Sequence, residues 1–208
     1  MTDSPTPNDE LRQIVAEGSV ALARLFSAYS EQLERMIAFR LDTRLKGRVD
    51  VADVLQEAYL EIARRVDEYI ADPAVSVYVW MRQLTYQALI GLHRKHFSQK
   101  RSVNQERRSL RSATADETTN SMAQMVYSRL TTPSEAMMRM ETVERLKKAF
   151  AAMDETDREV LALRHFEQLG NQEVAEILSL SPTAASNRYV RAVARLSKIM
   201  SSLDPPTT

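Results

Sequence analysis

Apolar positions recur at three- and four-residue spacing over most of this chain, a period that predicts helices rather than strands. Leu22, Leu25, Phe26, Tyr29, Leu33, Met36 and Ile37 predict one helix from about Glu10 to Leu41. Val51, Val54, Leu55, Ala58, Tyr59, Ile62 and Val66 predict a second over about Val51–Tyr69, with Asp50 as its N-cap. Asp72-Pro73 breaks the pattern, and a third helix covers about Val77–Phe97. Between Ser98 and Thr132 the chain turns basic, then rich in Ser, Thr and Asn. That composition predicts a flexible linker with a helical turn near Met122–Leu130. From Pro133 the helical period returns, over about Ser134–Ala152, Glu155–Phe166, Asn171–Leu178 and Thr183–Ser202. Gly170 fits the N-cap of the third of these and Pro182 the start of the fourth. Residues 1–9 are polar with two prolines and predict disorder. The expected fold is all-α: two small helical domains, 10–97 and 134–203, tethered by a linker at 98–133, with no internal repeat.

The last helix carries the sharpest pattern. On a wheel, Ala185, Tyr189, Ala192, Leu196 and Ile199 fall on one side. Thr183, Asn187, Arg188, Arg191, Arg195 and Lys198 fall on the other, and no carboxylate lies between Ser181 and Met200. Cations and amides without anions suit a polyanion. A helix of this kind after a tight turn is the geometry that reads DNA in the major groove. The competing reading is a solvated surface helix, since charged helix faces are common.

The second helix has a different polar side. Asp53, Gln56, Glu57 and Arg64 share it with Leu60, a large apolar residue at the centre of a polar face. A single exposed Leu is ordinary. It is equally an anchor with a polar rim for a partner helix.

Composition narrows the function classes. Gly is scarce, at 4 residues in 208, and good helix formers dominate. The absence of cysteine removes disulfide frameworks and thiolate zinc sites. No apolar run is long enough to span a bilayer and no signal peptide opens the chain, so a cytoplasmic protein is expected. A net charge of +0 hides strong segregation. Residues 50–72 carry Asp50, Asp53, Glu57, Glu61, Asp67, Glu68 and Asp72 against Arg64 and Arg65. Residues 91–111 carry Arg94, Lys95, Lys100, Arg101, Arg107, Arg108 and Arg111 against Glu106. An acidic block between basic ones points to one protein partner and one nucleic-acid partner.

With those residues in view the chain resembles a known family. Asp53-Val54-Leu55-Gln56-Glu57 is similar to the polymerase-binding motif of bacterial sigma factors. Trp80-Met81, in a helix that ends Leu92-His93-Arg94-Lys95-His96, is similar to the promoter-melting segment that follows it. Arg158-Glu159-Val160-Leu161-Ala162-Leu163-Arg164, Glu173-Val174-Ala175-Glu176-Ile177-Leu178 and Ser186-Asn187-Arg188 are similar to the C-terminal promoter-reading domain. The order, spacing and short length resemble the extracytoplasmic-function (ECF) group of the sigma-70 family.

The resemblance implies an alternative sigma factor with no chemistry of its own and no cofactor. Asp53, Gln56, Glu57 and Leu60 would dock on core RNA polymerase. Trp80, Arg82, Gln83, Gln87, Arg94 and Lys95, with the loop Ala71–Ser76, would capture the −10 element as a single strand, which needs phosphate-directed charge and stacking rings. Thr183, Ser186, Asn187, Arg188, Arg191 and Arg195 would read the −35 element. The linker would thread the polymerase cleft, and an anti-sigma protein is a further expected partner. Trp80 itself reads as core before it reads as a stacking platform. Gly91 stands where many relatives carry Asp and predicts a bend or fraying, since glycine costs a helix about 0.5–1 kcal/mol relative to alanine. Ala185 and Ser186 replace a larger apolar residue and a lysine of relatives, which shifts the expected weight of DNA reading to Asn187, Arg188 and Arg191.

Two rivals come from other classes. One is a two-domain helix-turn-helix regulator acting without polymerase docking; it has no need of the Asp53–Glu57 face or of Trp80. The other is a metal-dependent hydrolase around His93 and His96, three residues apart. Those histidines sit among cations with no third ligand evident, so no metal site is expected. His165 reads as helix-end packing.

Overall fold

The computed structural model describes residues 7–41, 45, 47–97, 118, 119, 121–124, 126 and 136–203. Among them every regular element is helical, in the order α1 (Pro7–Glu17), α2 (Ser19–Arg40), α3 (Val51–Ala71), α4 (Val77–Phe97), α5 (Ala136–Ala151), α6 (Glu155–Leu161), α7 (Asn171–Ile177) and α8 (Pro182–Leu203). The chain divides into two compact units, Met1–Ser102 and Val103–Thr208.

In the first unit the expected single N-terminal helix is two. Gly18 sits between α1 and α2 with φ 60° and ψ −130°, a region closed to L side chains and open to glycine. The apolar period runs unbroken past Gly18, so the wheel could not show the break. Helix α1 also begins at Pro7, inside the stretch expected to be disordered. Helices α2, α3 and α4 pack together, with α1 against α2 and α4. Ile14, Leu22, Leu25, Ile62, Tyr69, Val77, Trp80 and Met81 form one buried cluster. Met36, Ile37, Leu41, Leu45, Val49, Val54 and Leu89 form another. Helix α4 continues through Gly91 without a break.

Most of the expected linker and the first six residues lie outside the described residues. Thr118, Thr119, Ser121–Gln124 and Val126 are helical, with Met122 and Ala123 fully buried. A helical turn was expected near Met122–Leu130; the described residues are helical already from Thr118, and they bury Met122 and Ala123, which a flexible tether would leave exposed.

In the second unit α8 packs against α5, α6 and α7. Leu146, Phe150, Val160, Leu161, Leu163, Phe166, Val174, Ala185 and Ala192 are buried. Asp154 caps α6 by accepting from the Thr156 N–H at 2.9 Å. Arg158 donates to the carbonyls of Phe150 (3.1 Å) and Met153 (3.2 Å), satisfying groups that the end of α5 leaves open. The helix expected to run evenly to Phe166 changes pitch: Ala162–Phe166 form a π-helical turn, closed by the Glu167 N–H on the Ala162 carbonyl at 3.1 Å. Ala162, Leu163 and Phe166 of this turn are all buried.

Candidate functional site

Helix α3 presents the predicted row as an open surface. Val54, Ala58 and Ile62 are fully buried, which turns Asp53, Gln56, Glu57 and Leu60 outward; Leu60 is 60 % exposed. Asp53 has a second task. Its carboxylate accepts from the Asp50 N–H at 3.2 Å, half of a capping box that starts the helix. Next to Leu60 in sequence, Glu61 pairs with Arg65 at 2.6 Å and also with Arg64. The hydrogen bond from Arg64 holds the Glu61 carboxyl below its usual range.

Helix α4 divides its predicted residues. Trp80 is 9 % exposed and stacks on Tyr69, with centroids 4.3 Å apart and planes inclined by 13°. Its core reading therefore holds in this conformation. Arg82 is buried as well. Gln83 and Gln87 are exposed, and the row continues through Gly91 towards Arg94 and Lys95, also exposed. Ahead of it, Ala71, Asp72, Pro73 and Ala74 are exposed. The Tyr69 hydroxyl donates to the Val75 carbonyl at 2.7 Å and ties this loop to the end of α3. His93 is buried, and the side chain of His96 lies outside the described residues. Among the described residues no three His, Cys, Asp or Glu groups converge as a metal would need.

Helices α7 and α8 form the expected helix-turn-helix. Gly170 starts α7, its N–H donating to Glu173 Oε2 at 2.6 Å. Helix α7 ends in a Schellman motif: the Leu180 N–H reaches the Ala175 carbonyl at 2.8 Å, and the Ser179 N–H reaches Glu176 at 3.2 Å. Ser179 occupies the left-handed position with φ 54°, where glycine is the usual choice. Ser181 then caps α8, its Oγ accepting from the Ala184 N–H at 3.1 Å, and Pro182 takes the first helical position. Asn171 donates from Nδ2 to the Pro182 carbonyl at 2.8 Å, a strut across the angle between the two helices.

On α8 the apolar side falls as the wheel placed it: Ala185 and Ala192 are buried, and Tyr189, Leu196 and Ile199 half-buried. The Tyr189 hydroxyl meets His165 Nε2 at 3.1 Å, so His165 does pack at a helix end. Thr183, Ser186, Asn187, Arg191 and Lys198 are exposed. Arg188 is half-buried and Arg195 exposed, and both are paired. Both donate to Asp157 of α6, at 3.0 Å to Oδ1 and 2.9 Å to Oδ2, and Arg188 also approaches Asp154 at 3.5 Å. Asp157 is only 5 % exposed. Its partners lie 31 and 38 residues away in sequence, and a first-turn acid ordinarily reads as a favourable partner for the helix dipole. No signal in the sequence marks it as an ion-pair centre.

No helix among the described residues is long and apolar enough to cross a membrane. No curated protein matches the chain. A solved chain, CnrH in complex with the cytosolic domain of CnrY, shares the fold with a TM-score of 0.50 at 18 % identity, over 94 % of this chain and 97 % of that one. The family model described as ECF sigma factor matches residues 9–202. Family model, helix order and helix-turn-helix agree, and the chain belongs to the ECF sigma factor family, whose members regulate transcription.

Proposed function

We propose that this sigma factor docks on core RNA polymerase through α3, captures the −10 element with α4 and the loop before it, and reads the −35 element with α8. The observation that carries the reading is the open row Asp53, Gln56, Glu57 and Leu60. A 60 % exposed Leu amid carboxylates, on a helix whose opposite side buries Val54, Ala58 and Ile62, fits a partner-helix anchor with a polar rim. Gln83, Gln87, Arg94 and Lys95 offer donors and charge to a displaced strand, with buried Trp80, stacked on Tyr69, as support for the loop. Thr183, Ser186, Asn187 and Arg191 are the exposed candidates for base edges, where Asn pairs with adenine and Arg with guanine. Lys198, two turns on, suits phosphate.

An anti-sigma protein is a further proposed partner: CnrH, similar in fold, is solved with the cytosolic domain of CnrY. A cytoplasmic location follows from partnership with polymerase. The test is reconstitution. The full chain added to core polymerase should co-elute with it and give transcripts that start at defined promoters. Transcription that remains promoter-independent, or a chain that elutes apart from polymerase, would refute the proposal.

A further inference from the structure

Four cations and no carboxylate lie on α8 between Ser181 and Met200, yet they are not equivalent in space. Arg191 and Lys198 are exposed and have no carboxylate partner among the described residues. Arg188 and Arg195, two helical turns apart, both close on Asp157. The Asp157 side chain is 6 % exposed, and two guanidinium groups, one on each carboxylate oxygen, satisfy it there. The Arg188 side chain is correspondingly 31 % exposed, whereas that of Arg195 stays 55 % exposed and is held by its Nη1 bond to the carboxylate. A guanidinium turned onto a carboxylate has its orientation fixed and part of its charge offset, which weakens its pull on a phosphate.

We propose that Asp157 is a positioning residue for promoter selectivity: it withholds Arg188 and Arg195 from DNA. The inference rests on the proposed reading of the −35 element by α8. Sequence-independent affinity grows with the number of phosphates neutralised. Restricting the mobile cations to Arg191 and Lys198 keeps that background low, so that contacts to base edges decide where the helix settles. Asp157 belongs to α6 and touches no base itself; it acts through the two arginines. The neighbouring charge on the same side is Asp154, 3.5 Å from Arg188, which reinforces the hold on that residue.

The test uses the full chain bound to core polymerase. Two duplexes are compared: one selected by the native complex from a pool randomised at the −35 positions, and one with those positions scrambled. Affinities are measured over a salt series. Asp157→Asn should tighten binding to the scrambled duplex several-fold at low salt. The log–log salt slope should steepen by roughly 1–2, at about 0.9 per phosphate gained, and the selected-to-scrambled ratio should fall about 3–10-fold. Asp157→Asn/Arg188→Gln/Arg195→Gln should restore the native slope, because the released cations are gone. A merely structural Asp157 would lower the melting temperature and weaken both duplexes by the same factor at unchanged slope; that outcome overturns the inference. If Asp157→Asn does not fold, Arg195→Gln decides, since Asp157 then keeps Arg188. A native slope supports withholding, and a slope shallower by about 1 means that Arg195 already holds phosphate and overturns it. A native complex that selects no motif from the pool removes the −35 reading itself, and the inference with it.

Discussion

Helices α3 and α8 each carry a polar face that a wheel marks as a contact surface, and the fold treats them differently. On α3 the predicted row stays open, and the nearest ion pairs, Glu61 with Arg64 and Arg65, are made within the helix itself. On α8 two of the four cations turn back onto a buried carboxylate of α6. A wheel reports which side of a helix is polar. It does not report whether the complementary charge lies in a partner or within the same unit. Interactions at i+3 and i+4 are legible from sequence; one that spans 31 residues is not.

The largest expected effect tests the openness of α3. Gln56→Ala/Glu57→Ala/Leu60→Ala should weaken binding to core polymerase by about 2–4 kcal/mol, the range of an interface anchor and its rim. The melting temperature should stay near native, because none of the three is buried. Titration of labelled protein into core polymerase measures it; native affinity in the variant would close the comparison on the α3 side. On α8, Arg191→Ala should cost roughly 1–3 kcal/mol on the selected −35 duplex and relax preference at one base pair. Uniform weakening across sequences would make Arg191 a phosphate contact.

Asp53→Ala sharpens the contrast between open and occupied groups. The carboxylate accepts from the Asp50 N–H, so its loss should destabilise the first unit by about 1 kcal/mol, apart from any effect on polymerase binding. Denaturant unfolding separates the two effects. Ser179→Gly should stabilise the helix-turn-helix by about 0.5–1 kcal/mol, since the left-handed backbone at φ 54° disfavours an L side chain.

The smallest effect concerns acid. Asp154 is held below the usual carboxylate range, first by the Thr156 N–H. The fold favours its charged form, so the stability it contributes is present above the ordinary carboxylate pKa and is lost as pH falls through the lowered one. Asp154→Asn should flatten that part of the acid limb in a melting series, with a minor change at neutral pH.

The helices that line the contact surfaces were legible because packing and periodicity coincide there. Val54, Ala58 and Ile62 bury at spacing four, and Ala185 and Ala192 at spacing seven. Asp50, Gly170 and Pro182 stand at the starts of the helices they were assigned to. Three features were not legible. The break at Gly18 is a backbone rotation beneath an uninterrupted apolar period. The π-helical turn adds one residue to a helix without altering which residue types it uses. The Asp157 centre depends on α6 and α8 meeting in space. The helical segment around Met122 and Ala123 was legible as a turn but not as core, because few large apolar residues stand in the stretch around it.

Gly18 carries a consequence of its own. At φ 60° and ψ −130° its backbone is the mirror image of an ordinary extended residue. A Cβ built there would meet no atom within 4 Å. What restricts the site is therefore the backbone conformation and not crowding around an L side chain. L-Alanine at position 18 would strain the joint between α1 and α2, whereas D-alanine, introduced by chemical ligation, would fit it and stiffen the joint by removing glycine's freedom in the unfolded chain. What the genetic code supplies there as the absence of a side chain, synthesis can supply as inverted chirality.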